Sequence, residues 1–387
     1  MRIAIFSDNF YPEMSGISDS IISLAKELAG LGHKIDFYAP EYGAKDFSGA
    51  GKELNLGKNI KINRLFSLPA PFVGAKARLV LPTLLRLSYK NFKAEIIHSQ
   101  LFFGIGLEAM ALAKHFKIPL IGTNHTAITQ FVPYGFMQQP SLKYAIWYYN
   151  HCDFVTAPSQ SVFSEMEHYG FKQTHQVVSN PLDTKVFQPL KDKNKYKKQF
   201  KLTDNTVVYA GRISREKNIE VIIKAIAIAK KKISNINFAV AGAGNARADL
   251  EKLVEETGLK NEVKFLGALS HEKVAQLYSA SEVFTIASTS ETQSLVLMQA
   301  LACGLPAVAV NSRALPEYVN GKNGYIVKVG DAKAMANKFI LLLRNDKLRA
   351  QLGQGAYDFV RQFSAPAIGK TWETLYRRVI KNYRKKP

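Results

Sequence analysis

VFTIASTSETQSLVLMQALACGLPAVAV, residues Val283 to Val310, reads in succession as strand, polar loop, short helix and buried strand. VFTIA is a β-branched and aromatic run, Ser288 to Thr292 is polar, and Gln293 to Cys303 has helix-forming spacing. Gly304 supplies a stop and AVAV follows Pro306, so the stretch is a βαβ unit. In open parallel sheets ligands collect beyond the carboxyl ends of the strands, where helix N-termini offer free backbone N–H groups to anions. The polar loop is therefore the expected site, with Glu291 on its edge. Glu291 and Gln299 are eight positions apart, one before the helix and one about two turns into it, so both can line one side of a cleft. The alternative is that Glu291 merely favours the helix dipole and Gln299 is a solvated helix residue.

The rest of the chain sets the frame for that unit. Its 387 residues are too many for one ordinary core and predict two domains of similar size. A hydrophobic content of 47% is enough to fill both. The net charge of +21 points to an anionic partner, which could be nucleic acid, an acidic membrane surface or a phosphorylated ligand. The two cysteines, Cys152 and Cys303, lie in separate predicted elements without metal-ligand spacing, which fits a reducing cytoplasm. MRIAIFSDNF reads as a first strand rather than a signal peptide, and no apolar run approaches a membrane span, so a soluble or peripheral protein is expected.

Strands alternate with helical segments along the chain, the signal for parallel sheets covered by helices. RIAIFS, a helix from Ile17 to Leu31 and KIDFYA open a doubly wound sheet. The loop between strand and helix carries Gly16, read either as an ordinary turn or as backbone approaching a ligand. KINRL, EIIHSQ, PLIGT, DFVTA and HQVV continue the alternation, and LFSLPAPFVGAKARLVLP is an aromatic, basic connection. His125 follows the strand PLIGT directly, where either a site residue or a satisfied structural histidine fits. Tyr134, Phe136, Trp147, Tyr148 and Tyr149 either wall an acceptor pocket or pack between helices, with packing the simpler reading. Lys-rich Gln188 to Asn205 is read as a linker or exposed helix. After it, TVVYA and the turn GRISREKNIE place Arg212 and Lys217 five positions apart across a strand-to-helix turn, able to converge on a diphosphate. Gly242 and Gly244 suggest a dinucleotide loop, but Arg247 replaces its third glycine.

The segment ETQSLVLMQALACGLPAVAV resembles the donor-binding segment of retaining GT-B glycosyltransferases, the glycosyl transferases group 1 of bacterial mannosyl- and glucosyltransferases. It keeps the first Glu, the apolar run, Gly304 and Pro306, but has Gln299 where a second Glu is usual and Ser294 where Gly is usual. The Gly211, Arg212 and Lys217 turn also resembles that family, and the Pro-rich segment followed by a His-containing strand is similar to the subgroup acting on diacylglycerol or phosphatidylinositol-type lipids. The resemblance implies two facing Rossmann-like domains: residues 1–187 for the acceptor, a linker at 188–205, 206–363 for the nucleotide sugar, and a final helix at 364–387 crossing back. It implies Glu291, Arg212, Lys217 and His125 as catalytic residues, and Gly16, Gly211, Gln293, Ser294, Leu295 and Gln299 as further donor contacts. Phe72, Lys76, Arg78 and Tyr134 are expected at the acceptor or membrane.

The implied reaction moves glucose or mannose from a UDP-hexose or GDP-mannose, with retention and without cofactor or metal, to a membrane lipid. The location is then the cytoplasmic face of an anionic membrane. A soluble acceptor, or a catalytically weak nucleotide-sugar-binding protein, is the alternative. Nucleic acid is not expected, because the basic residues are spread over a linker, helices and a tail. Oligomeric state is left open.

Overall fold

The computed structural model describes residues 1–13, 15–43, 47, 53–69, 78–80, 92–131 and 138–385, so the expectations on Phe72, Lys76 and Tyr134 lie outside the described residues. Two compact units form, Met1–Pro181 with Ala365–Pro387, and Leu182–Ser364. The first contains β1 (Arg2–Phe6), β2 (Lys34–Pro40), β3 (Ile60–Leu65), β4 (Leu68–Pro69), β5 (Arg78–Leu79), β6 (Ile96–Ser99), β7 (Leu120–Thr123), β8 (Phe154–Ala157) and β9 (His175–Val177). Its sheet has the order β3-β2-β1-β6-β7-β8-β9, and its strands run parallel. Every residue of β6, β7 and β8 is buried, as expected for strands covered by helices on both faces. The order reverses at β1 and β6, which makes their carboxyl ends the switch point where ligands bind in such sheets.

The second unit contains β10 (Asn205–Ala210), β11 (Ile236–Ala241), β12 (Val263–Gly267), β13 (Val283–Ile286), β14 (Ala307–Val310) and β15 (Gly324–Val327). They form one parallel sheet in the order β12-β11-β10-β13-β14-β15. Its switch point lies between β10 and β13, which brings together the turn after Ala210 and the loop after Ile286. Those are the two segments singled out from the sequence 70 residues and more apart.

The unit boundary falls earlier than the expected 187. Leu182 and Phe187 belong to the second core, and the Leu182 N–H donates to the Phe363 carbonyl at 2.9 Å. The segment expected to be a linker is likewise part of that unit. The helix Lys193–Phe200 packs with its Lys197 ammonium on Glu282 (2.7 Å) and Asp204 (2.6 Å). Glu282 is almost fully buried, and its other oxygen accepts from the Thr206 N–H at 2.8 Å. A Lys-rich composition suggested solvent because it does not reveal which lysine neutralises a buried carboxylate. The last helix, Ala365–Tyr383, sets Trp372 and Tyr376 against His98 of β6, with ring centroids 4.4 and 5.7 Å away. No described helix is long and apolar enough to cross a membrane.

Candidate functional site

In the second unit the turn after β10 is built by close backbone approach. Gly211 has φ +146°, its N–H donates to Ala241 (2.9 Å), and the Ile213 N–H donates to Ala243 (2.9 Å). A Cβ on Gly242 would lie 1.8 Å from the Gly211 carbonyl oxygen, and one on Gly244 would lie 2.0 Å from that of Ile213. Those glycines hold the Arg212 turn in place; they do not form a nucleotide loop of their own. The Tyr209 hydroxyl fixes the same turn by donating to the Arg212 carbonyl at 2.9 Å. A single 3-10 turn, Arg215–Lys217, then carries Lys217 across to β13. The Lys217 ammonium meets Glu291 at 2.6 Å, Ser290 at 3.1 Å and Ser288 at 3.4 Å. The two charged side chains are only 12% and 11% exposed. The Asn218 amide closes the join by donating to the Ala287 carbonyl at 3.0 Å.

Arg212 and Lys217 do not converge on one another. The Arg212 side chain is 71% exposed and leans on Glu216 at 3.4 Å. Despite partial burial, which works against it, the Ser214 hydroxyl and Arg212 hold the Glu216 carboxyl below the usual range. Lys217 and Glu291 are therefore a preformed, nearly dry ion pair, while Arg212 is a solvated fork at the edge of the same turn. Ser288 and Ser290 went unnoticed as individual residues in the sequence; their alternation in a polar loop was their only signal.

The helix after Glu291 begins at Leu295, two residues later than its apolar spacing suggested, and ends at Ala302. Its N-cap, Ser294, sits at φ +73° and ψ +85°, left-handed backbone that a serine adopts at a cost of about 1–2 kcal/mol. This explains why the family keeps Gly there. The Ser294 hydroxyl is buried and has no hydrogen-bond partner among the described residues, a second cost. Gln293 is buried beside it, Leu295 is half-buried, and Gln299 lies half-buried a turn further on. Ser294→Gly is expected to raise the Tm of the full chain by about 2–4 °C, the shift for roughly 1 kcal/mol in a unit of this size. Thermal melts check this, and an unchanged or lower Tm would mean the serine is not strained there.

In the first unit Gly16 is the first residue of the helix Gly16–Gly30, whose N-cap Ser15 accepts from the Ser18 N–H. His125 follows β7 by two residues, is buried, and its Nε2 lies 2.7 Å from the Gln100 Oε1. Burial pushes its imidazole down to about 4, so it is neutral at pH 7. Gln100 follows β6 directly. Asp8, just beyond β1, accepts from the Ile105 N–H at 3.1 Å, and burial pushes its carboxyl up to about 7. Neither Gln100 nor Asp8 stood out in the sequence, since a lone amide or carboxylate after a strand carries no spacing signal. Tyr148 and Tyr149 are fully buried core residues, whereas Trp147 is 44% exposed.

Arg78 is committed to the fold rather than to a partner. Its guanidinium donates to the Ser67 hydroxyl (3.0 Å) and carbonyl (2.9 Å) and lies over the Tyr42 ring. The apolar side chains around it are exposed: Leu68 of β4 pairs directly with Leu79 of β5, and Phe66 precedes them at 64% exposure. Among the described residues no group of three or more His, Cys, Asp or Glu is arranged for a metal.

Two parallel Rossmann-like sheets, each with polar residues gathered at its switch point, define the GT-B class of architecture. A HepE protein of Anabaena, solved in complex with UDP, shares the fold at a TM-score of 0.80 and 20% identity, over 97% of this chain and 100% of that one. The Glycosyltransferase Family 4 pattern matches residues 14–186 and the Glycosyl transferases group 1 pattern matches residues 191–359. An alpha-monoglucosyldiacylglycerol synthase of Streptococcus pneumoniae is 30% identical over 343 residues, 83% of this chain and 74% of its own length. One from Acholeplasma laidlawii is 24% identical over 414 residues, covering 100% of this chain and 99% of its own length. The chain belongs to this glycosyltransferase family, and it is a glycosyltransferase.

Proposed function

We propose that the protein transfers glucose from a nucleotide sugar to diacylglycerol or a similar lipid at an anionic membrane surface, with retention at the anomeric carbon. The observation that carries this reading is the Lys217–Glu291 pair at the switch point of the second sheet, in a chain similar across most of its length to alpha-monoglucosyldiacylglycerol synthases. Departure of a nucleoside diphosphate puts growing negative charge on its terminal phosphate. Lys217 offers a buried cation there, Arg212 a second and more mobile one, and the first N–H groups of the helix Leu295–Ala302 a fixed dipole. With these countercharges in place, no metal is required for the leaving group. Glu291 orients the sugar hydroxyls, Gln299 takes the ribose, and His125, held neutral, offers the sugar a hydrogen bond without adding charge. The leaving phosphate takes the acceptor proton.

The exposed Phe66, Leu68 and Leu79 favour the membrane reading, since three large apolar side chains on one short ribbon are the form of an interfacial contact. The net charge of +21 adds attraction to anionic headgroups. Labelled UDP- and GDP-hexoses offered with diacylglycerol vesicles test both parts. UDP-glucose is expected to give an α-glucosyl lipid, faster on anionic than on neutral vesicles and slower at high salt. Transfer only to a soluble sugar would sink the lipid acceptor, equal rates on both vesicles would sink the anionic surface, and a β-linked product would sink retention.

A further inference from the structure

The buried amide of Gln100 stands between two histidines. Its Oε1 accepts from the His125 Nε2–H at 2.7 Å, and its Nε2 donates to the His98 Nε2 at 3.1 Å. The same His98 nitrogen takes the Thr123 hydroxyl at 2.6 Å, and Thr123 in turn is 2.6 Å from the Thr156 hydroxyl. With its Nε2 occupied as an acceptor, His98 carries its proton on Nδ1 and donates it to the Tyr376 hydroxyl at 2.7 Å. Trp372, one turn earlier on the last helix, packs on the His98 ring. Gln100, His98, Thr156 and Tyr376 are all at most 2% exposed, so no water can substitute for a lost partner.

This chain of bonds has only two self-consistent polarities. In one, Gln100 turns its oxygen to His125 and fixes the proton on Nε2. In the other the amide is reversed, His98 carries its proton on Nε2, and His125 loses its own from that nitrogen. Tyr376 and Thr123 decide between them through the tautomer of His98.

We propose that Gln100 is a positioning residue for His125, fixing its ring orientation and its Nε2–H tautomer, and that the last helix enforces this through Tyr376 and His98. The proposal rests on the reading of His125 as a sugar contact. The mechanism is that of an outer hydrogen bond that selects which nitrogen of an imidazole faces its ligand.

Nitrogen-15 NMR of the full chain labelled at histidine tests it, the His125 signal being the one lost in His125→Gln. The parent is expected to show the Nε2–H tautomer at pH 7, and Gln100→Met a mixture. Gln100→Met should lower kcat about tenfold while the donor KM changes less than threefold, because orientation is lost and binding is not. Gln100→Glu keeps an acceptor for the His125 Nε2–H and should recover most of kcat at pH 8. Its carboxylate stabilises the imidazolium, so His125 titrates above its usual value of about 4 here. Activity of that variant should then fall on the acid side at a higher pH than in the parent. His98, held neutral by burial, is the titratable group facing His125. A parent His125 protonated on Nδ1, or a Gln100→Met variant with parental tautomer and kcat, would overturn the proposal. If Gln100→Met does not fold, the parent tautomer and the Gln100→Glu profile decide. A His125→Ala variant as active as the parent would remove His125 itself from the reaction, and Gln100 with it.

Discussion

Replacing Glu291 by glutamine lowers transfer by about 10²-fold or more, roughly 3 kcal/mol of barrier, while the chain stays folded. Glutamine keeps the shape of the side chain and one acceptor but loses the charge that holds Lys217 at 2.6 Å. Two things then fail together: the sugar loses its orienting carboxylate, and the ammonium that meets the leaving phosphate loses the anchor that sets its position. The sequence alone suggested that Glu291→Ala would be structurally silent, as an edge residue. The 11% exposure of its side chain and its ion pair show that alanine would instead leave Lys217 unpaired in a nearly dry pocket, a change that costs stability as well as rate. Glutamine separates the two effects. Initial rates with saturating donor, alongside a thermal melt, give the answer; parental turnover in the folded Glu291→Gln chain would take Glu291 out of the reaction.

Lys217→Met is the second large effect. Its loss removes a charge-assisted contact to the diphosphate and strands the Glu291 carboxylate beside incoming phosphate oxygens. Both act in one direction, so donor affinity should fall by about 10- to 100-fold, or 1.4–2.8 kcal/mol, and kcat should fall as well. Calorimetric titration with the donor measures the first and initial rates the second. The double variant Lys217→Met with Glu291→Gln should lose less than the sum of the singles, because each single change leaves a buried partner behind. Strict additivity would mean the pair acts as two independent groups. Arg212→Ala should have a smaller and more salt-sensitive effect, since that side chain is 71% exposed.

The sequence carried the fold well where the signal was local. Apolar runs of four to six residues between helical spacings located the strands of both sheets, and the helix Gly104–Phe116 falls where its spacing put it. Local composition failed where a single distant partner decided the outcome. Lys197 looked like part of a solvated linker, yet it neutralises Glu282 from 85 residues away. Arg78 looked like a lipid contact, yet Ser67 and Tyr42 hold it. Ser294 read only as a departure from a motif until its φ of +73° gave the departure a cost.

By itself the sequence determined that this is a doubly built parallel α/β protein with glycosyltransferase motifs, because strand and helix periodicities and glycine stops are properties of neighbouring residues. Only the tertiary structure decided that Lys217 pairs with Glu291 rather than with Arg212, and that a glutamine after β6, a tyrosine on the last helix and a histidine after β7 share one line of hydrogen bonds. Which strand lies beside which is set by the order of the sheet, and that order brings together side chains separated by up to 278 positions along the chain. No periodicity within a segment encodes such a distance, whereas burial makes each of these contacts costly to break.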